Sequence, residues 1–235
     1  ILKKITFFFL SLLFFTGASA LPAASSYLIY NPSAEVSDYG SYDFSMRFYR
    51  EGSILTRANF AVISGINLGF SLDFEKVIGT DSVKGHSPSL NLKLKLTKEK
   101  GLLPQAALGY DSQGYGKYNK ELKEYAIREK GFYAALSWQK INPSIHCGIN
   151  VVDLEDFEGS ENVYAFGGVG AKLGEKVTLL MEGSNILHGS DSVIYNTGMN
   201  WRLLEDISIQ FNFENLGSGG DRMERTFMVN YQGAF

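Results

Sequence analysis

Cysteine, histidine, proline and net charge are all scarce in this chain of 235 residues. Its single cysteine, Cys147, excludes an internal disulfide, and it lies too far from the N-terminus to anchor a lipid there. Alternation with Ile145 and Ile149 predicts that it faces an apolar exterior as a small hydrophobe. The histidines, His86, His146 and His188, lack ligand-like spacing, and Asp221 with Glu224 does not match a calcium loop, so no metal or cofactor is expected. With 22 basic against 25 acidic residues, the formal charge is −3, which gives no footprint for nucleic acid. Beyond residue 20 no run of eighteen apolar residues occurs, so a spanning helix is not expected.

Residues 1–20 read as a secretory leader. Lys3 and Lys4 form its positive end, Phe7 to Phe15 its apolar core, and Ala18-Ser19-Ala20 a small-x-small cleavage site before Leu21. Loss of the two lysines takes the formal charge from −3 to −5. Residues 21–39 show no strong period, and Asn31-Pro32-Ser33 breaks any element there, so a periplasmic lead-in is expected; whether it plugs the lumen, pairs with a partner or stays mobile is not set by the sequence. The remainder, residues 40–235, reads as one domain.

That domain is a ladder of alternating segments. Ile66, Leu68, Phe70, Leu72 and Phe74 interleave with Asn67, Gly69, Ser71, Asp73 and Glu75. Leu90, Leu92, Leu94 and Leu96 interleave with Asn91, Lys93, Lys95 and Thr97. A strand of this kind has one apolar and one polar face. Twelve segments are expected, over residues 41–50, 53–63, 66–76, 88–97, 104–112, 130–140, 143–152, 161–171, 175–184, 191–202, 206–215 and 224–235. Their lengths suit membrane-spanning strands of about 9–11 residues. Links after even-numbered strands are short, as at Ser64-Gly65 and Ile141-Asn142. Most links after odd-numbered strands are longer, polar and rich in glycine. This asymmetry predicts an all-β, up-and-down antiparallel barrel of about twelve strands in a bacterial outer membrane, with short periplasmic turns and long external loops. Trp138, Trp201 and Phe235 fall at one expected interface with lipid, Phe74 and Tyr110 at the other. A secreted β-sandwich also alternates, but twelve strands of spanning length without doubly buried runs favour the barrel.

The last strand carries Phe227, Val229 and Tyr231 on one face and ends at Phe235. This resembles the C-terminal signal read by the outer-membrane assembly machinery, which is therefore an expected partner. Gly233 departs from the usual hydrophobic residue at the third-last position.

Alternation places Arg47, Arg57, Asp73, Glu75, Lys93, Lys95, Glu182, Arg202 and Glu214 on the inner face, with Asp43 and Gln210. Asp73 and Glu75 are expected near Lys93 and Lys95 on the neighbouring strand. Twelve strands about 4.8 Å apart and tilted about 40° give a backbone radius of roughly 12 Å, so side chains leave a narrow passage. Inward Gly69, Gly109, Gly148 and Gly198 would widen it, and inward Tyr49, Tyr133 or a folded loop would close it. Asn119 to Arg128, in the longest link, reads as one or two helical turns or an extension of the sixth strand. His146 is expected to face inward, and no nucleophile motif accompanies it, so no catalytic residue is assigned. A serine within hydrogen-bond reach of His146 would favour a membrane-embedded hydrolase.

Several stretches resemble a group of bacterial outer-membrane barrels related to the YjbH type. They are Asn31-Pro32-Ser33-Ala34-Glu35 with Tyr39-Gly40, Asn67-Leu68-Gly69, Ile78-Gly79, Pro88 with Leu92-Lys93, Pro104 through Gly109-Tyr110-Asp111, and Lys130-Gly131-Phe132-Tyr133. The resemblance implies a single barrel of that kind in the outer membrane; the YjbH-type proteins themselves are associated with exopolysaccharide production. YjbH-type proteins are much longer, and the resemblance implies no catalytic residue. The leading expectation is passage of small solutes, with inward charges setting preference. The second is a non-conducting barrel for polysaccharide export, adhesion or scaffolding. A filled lumen would favour the second. Neither solute nor oligomeric state is set by the sequence.

Overall fold

In the computed structural model, residues 26–121, 124–152, 163–186, 193–216 and 223–235 are described. The wall consists of β1 (Ser41–Tyr49), β2 (Ser53–Ile63), β3 (Ile66–Glu75), β4 (Ser89–Thr97), β5 (Gln105–Asp111), β6 (Gly131–Trp138), β7 (Ser144–Val151), β8 (Val163–Leu173), β9 (Val177–Ser184), β10 (Ile194–Arg202), β11 (Ile207–Leu216) and β12 (Glu224–Ala234). Each strand pairs antiparallel with the next, and β1 closes onto β12 with Ser41 opposite Ala234 and Phe48 opposite Phe227. The result is a closed barrel of twelve strands, as the alternation predicts. Every strand begins and ends within three residues of its expected range. The expected leader, His188 and Asp221 lie outside the described residues.

Short connections and both ends of the wall lie at one rim, here the turn end; the long connections lie at the loop end. Gly65, at φ 81°, takes the backbone conformation that the tight β2–β3 turn requires and that L side chains avoid. At the seam, the Gly40 N–H donates to the Ala61 carbonyl and the Phe235 N–H to the Gly40 carbonyl, so the turn end is knitted shut.

The wall is inside-out relative to a soluble sandwich. Phe60, Leu68, Phe70, Leu90, Phe132, Ile145, Ile149, Phe211 and Phe213 are exposed, whereas Arg47, Arg57, Lys93, Glu182, Gln210 and Glu214 are buried. An apolar band of this extent is stable against lipid, not water. Cys147 sits half-exposed on the outer face beside Ile145 and Ile149, as expected. Phe227, Val229 and Tyr231 share that face. Where Gly233 leaves a gap, the Tyr42 ring covers it: a Cβ there would lie 2.6 Å from the ring. Tyr42 stacks on Phe235 at 6.3 Å, so the aromatic patch continues across the seam.

Four expectations are corrected or completed. First, of the alternatives left open for the lead-in, residues 26–36 take the lumen, and Leu28, Ile29, Tyr30, Asn31, Ser33, Ala34 and Val36 are buried there. Leu28, Ile29 and Tyr30 pack against inward-facing Leu55 and Leu180, apolar positions that need apolar cover. Second, Asn119 to Arg128 is neither helix nor an extension of β6. Tyr115–Asn119 and Glu124–Ile127 form a two-stranded hairpin, with Tyr118 opposite Tyr125. Third, the antiparallel register sets Lys93 opposite Asn67 and Ser89 opposite Ser71, so Asp73 and Glu75 lie toward the loop end while Lys93 and Lys95 lie toward the turn end. Fourth, the inward glycines do not widen the bore, because neighbouring side chains occupy their space. A Cβ on Gly109 would lie 2.3 Å from the Tyr133 ring and hydroxyl, and one on Gly148 the same distance from Phe166.

Candidate functional site in the lumen

The occupied lumen is the site. From Gly40 at the turn end the chain doubles back into the barrel. The Ala34 N–H donates to Ser137 Oγ at 2.8 Å, and the Ala34 carbonyl accepts from Gln105 Nε2 at 2.8 Å. Near the loop end the chain reverses tightly. The Leu28 N–H donates to the Asn31 carbonyl at 2.9 Å and the Ser33 N–H to the Ser26 carbonyl at 3.0 Å. Ile29-Tyr30 is therefore the corner of this turn, and the Asn-Pro pair that reads as a breaker opens the returning arm, with Pro32 bridged to Tyr27. Both arms of the plug lead back toward the turn end.

Glu182, on β9, holds the tip. Its carboxylate accepts the consecutive main-chain N–H groups of Ile29 (3.1 Å), Tyr30 (2.9 Å) and Asn31 (3.1 Å). A fourth bond comes from Asn196 Nδ2 at 2.7 Å. Successive N–H groups arranged in this way form an anion-binding nest. Among the described residues no cation lies in ion-pair contact with Glu182, so the plug supplies most of its compensation. Asn31 adds a bond from its amide to the Gly183 carbonyl (3.2 Å) and accepts one from Ser184 Oγ (2.7 Å).

Next to this nest, Glu214 is fully buried and takes three partners: the Arg47 guanidinium, the Tyr30 hydroxyl, and Thr226 Oγ1 at 2.6 Å. Arg47 lies 4.6 Å from the Tyr30 ring centre and 5.1 Å from that of Tyr115. Burial, reinforced by the Glu214 carboxylate, pushes the Tyr30 phenol well above its ordinary pKa, so it stays an O–H donor.

The loop hairpin covers the plug from the loop end. The Tyr115 ring packs tilted against Tyr30, centroids 4.4 Å apart, and its hydroxyl accepts a hydrogen bond from Arg57 Nη2 at 3.1 Å. Arg57 also pairs with Asp111 at 3.2 Å, and buried Gln113 accepts from Ser71 Oγ at 2.7 Å. A void of about 10 Å³, room for roughly one water, lies here among Tyr30, Arg47, Leu55 and Tyr115. Toward the turn end a vestibule of about 150 Å³ is lined by Lys172, Arg202, Asn200 and Gln232, with Ser26, Tyr27 and Leu28 at its floor.

The expected inward charges thus have separate roles. Arg47 and Glu214 form a buried pair. Glu182 and Lys93 hold the plug, Lys93 through the Ser26 carbonyl at 2.8 Å. Asp73 accepts from the Tyr49 hydroxyl at 2.5 Å, and Glu75 faces His86 at 3.4 Å. Arg202 lies at the turn-end rim on the Glu175 carbonyl, and Lys95 is half-exposed nearby. The plug itself is missed by strand periodicity. Its traces in the sequence are the apolar triplet Leu28-Ile29-Tyr30 before Asn31-Pro32, and apolar Leu55 and Leu180 on otherwise polar inner faces.

Ser137 Oγ lies 2.8 Å from His146 Nδ1, within the reach that would favour a hydrolase. With Ser137 accepting from the Ala34 N–H, its own proton points to Nδ1, the polarity a general base needs, and the proton of the neutral ring sits on Nε2. Nε2, 3.2 Å from Ser144 Oγ, is then a donor, and Ser144 donates to the Gly170 carbonyl at 3.1 Å. Ser137 is nevertheless fully buried beneath the plug. No carboxylate orients the ring among the described residues, and the chain of bonds ends on the plug.

Glu35, in the arm near the turn end, has its carboxyl pushed by burial up to about 7, with Gln139, Lys93 and Lys95 pulling it down and Asp38 pushing it up. A raised carboxyl pKa opposes ionisation in the docked state. Docking should weaken as pH rises from about 4.5 through about 7. Open probability in bilayers is expected to be higher at pH 8 than at pH 5, and Glu35→Gln should abolish the difference. An unchanged difference in Glu35→Gln would assign it to another group.

No family model matches the chain, and no curated protein matches it. Among solved structures it resembles the KdgM porin, with a TM-score of 0.51 and 10% identity over 83% of this chain and 99% of that chain. By fold, the chain is a porin-like barrel. The NanC porin aligns with a TM-score of 0.44 and 10% identity, again over 83% of this chain and 99% of that one. A mutant of Rh. blastica porin aligns with a TM-score of 0.40 and 10% identity, over 77% of this chain and 55% of that chain. The fold comparison rests on the first of the three, and at this identity it concerns architecture alone.

Proposed function

We propose that the chain is an outer-membrane channel for small solutes, held closed by its own N-terminal segment. The observation that carries this reading is a polar, charged inner wall occupied by a segment that adds no strand to it. A wall built only as a scaffold has no need of a carboxylate, Glu182, set for the N–H groups of the plug, nor of amide donors, Gln105 and Gln210, aimed at its carbonyls. The C-terminal patch of Phe227, Val229, Tyr231 and Phe235 serves as the assembly signal, with Tyr42 completing it over Gly233. In this reading the channel is not an enzyme, which fits the burial of Ser137 beneath the plug and its bond from the Ala34 N–H.

The test is single-channel conductance of the refolded chain with residues 26–36 replaced by a Gly-Ser linker. Steady openings are expected. Lys93→Glu with Lys95→Glu should then shift ion preference toward cations, because both side chains would line the freed passage. A silent bilayer, with folded insertion confirmed by heat-modifiable gel mobility, would sink the channel reading.

A second reading has its own support. The lumen is filled at two heights, by the plug and by the Tyr115 hairpin, as a non-conducting barrel would be. The YjbH-type resemblance would tie such a barrel to polysaccharide export. The silent outcome above is what this reading expects.

A further inference from the structure

The plug is gripped mainly by its main chain. Its carbonyls at Ser26, Leu28, Ile29 and Ala34 accept from Lys93, from Gln210 at 3.1 Å, from Arg47 at 3.4 Å and from Gln105. Its N–H groups at Ile29, Tyr30, Asn31 and Ala34 donate to Glu182 and Ser137. Main-chain donors and acceptors are common to nearly every peptide, so a wall that reads them reads a class of molecule. Six strands contribute one gripping side chain each: β1, β4, β5, β6, β9 and β11. Side-chain recognition is sparser and falls on Tyr30 and Asn31 at the turn and on Tyr27, whose hydroxyl donates to Asp111 at 2.9 Å and whose ring lies 4.1 Å from the Arg57 guanidinium.

We propose that the lumen is a peptide-binding conduit, and that the plug is a built-in occupant of a site a separate short peptide can take. This rests on the channel reading above and names its solute class. The fitting peptide forms a tight turn, carries an aromatic side chain at that turn, and is uncharged where it meets the grip. Residues 26–34 contain no charged side chain. Arg47 and Glu214 already neutralise each other, so an added charge beside them would be buried without compensation.

The test uses the full chain carrying Ile29→Pro, Tyr30→Pro and Asn31→Pro, because each proline removes one N–H that Glu182 accepts. A fluorescent synthetic peptide of residues 26–36 is added, and binding is read by polarisation after heat-modifiable mobility confirms the fold. Saturable binding is expected. The same peptide N-methylated at residues 29–31 should bind at least tenfold more weakly. Absence of saturable binding, or equal binding by the N-methylated peptide, would overturn the proposal.

If the triple variant does not fold, the chain carrying Ser26→Cys and Cys147→Ser replaces it. Ser26 is 9% exposed, so its thiol should label slowly with a water-soluble maleimide. Peptide at roughly millimolar concentration, matching a tethered segment, should speed labelling at least threefold, and the N-methylated peptide should not. An unchanged rate would overturn the proposal. Conductance separates the two readings: a triple variant that binds peptide but never conducts keeps the site and loses the channel, and one that conducts but ignores peptide does the reverse.

Discussion

Glu182→Ala is expected to convert a closed barrel into one that opens frequently. The substitution removes the acceptor of three consecutive plug N–H groups and leaves the wall otherwise intact. Hydrogen bonds to a charged group contribute about 1.5–3 kcal/mol each, and bonds sharing one carboxylate do not add fully. A combined loss on the order of 4 kcal/mol would shift the docked-to-undocked ratio by roughly a thousandfold. The opposing effect is relief from burying an unpaired carboxylate, which costs several kcal/mol in isolation. Here the carboxylate is compensated by four donors, so its removal strands N–H groups more than it relieves charge. Glu182→Gln keeps an acceptor oxygen without the charge and should give an intermediate open probability. Planar bilayer recordings of the three proteins at one voltage check the order. Equal silence in all three, with the fold retained, would show that Glu182 does not hold the gate.

Arg47→Ala should produce the largest loss of stability. It leaves the fully buried Glu214 carboxylate without its cation and with only the Tyr30 and Thr226 hydroxyls. Breaking one side of a buried pair costs about 3–5 kcal/mol, because the remaining charge has no solvent. Removing both partners is milder: Arg47→Met with Glu214→Gln should recover most of the loss. Urea unfolding in detergent or bilayer, followed by gel mobility, measures both. A double variant as unstable as Arg47→Ala would mean that packing of the Arg47 stem beneath Tyr30 and Tyr115, rather than charge compensation, dominates.

Strand positions were legible because a barrel wall imposes a local rule. Each residue faces either lipid or lumen, so polarity alternates with a period of two, and Leu90 through Thr97 obeys it at every step. Link lengths were legible for a similar reason: a two-residue turn such as Ser64-Gly65 fits adjacent strands and little else. Pairing register was not legible in this way. The alternating face of β3 does not say which residue of β4 it meets, and the placement of Asp73 beside Lys93 failed on that point. Hydrogen bonding of Asn67 opposite Lys93 decides it instead.

The plug was illegible for a different reason. Residues 26–36 make few local hydrogen bonds; their partners on Gln105, Ser137, Glu182, Gln210 and Glu214 are distant in the chain. No periodicity announces such a segment. The Tyr115 hairpin is a similar case. Its tyrosines, Tyr115, Tyr118 and Tyr125, are visible, but its inward fold depends on Arg57, Asp111 and Tyr30, which the closed wall brings together.

By itself, the sequence determined the twelve-stranded wall, its apolar exterior and the charged inner face, because each follows from side-chain polarity at alternate positions. Tertiary structure alone decided what fills the lumen and which charges meet. Those outcomes depend on register and on contacts between residues more than a hundred positions apart, such as Tyr30 with Glu182, and such contacts leave no local pattern.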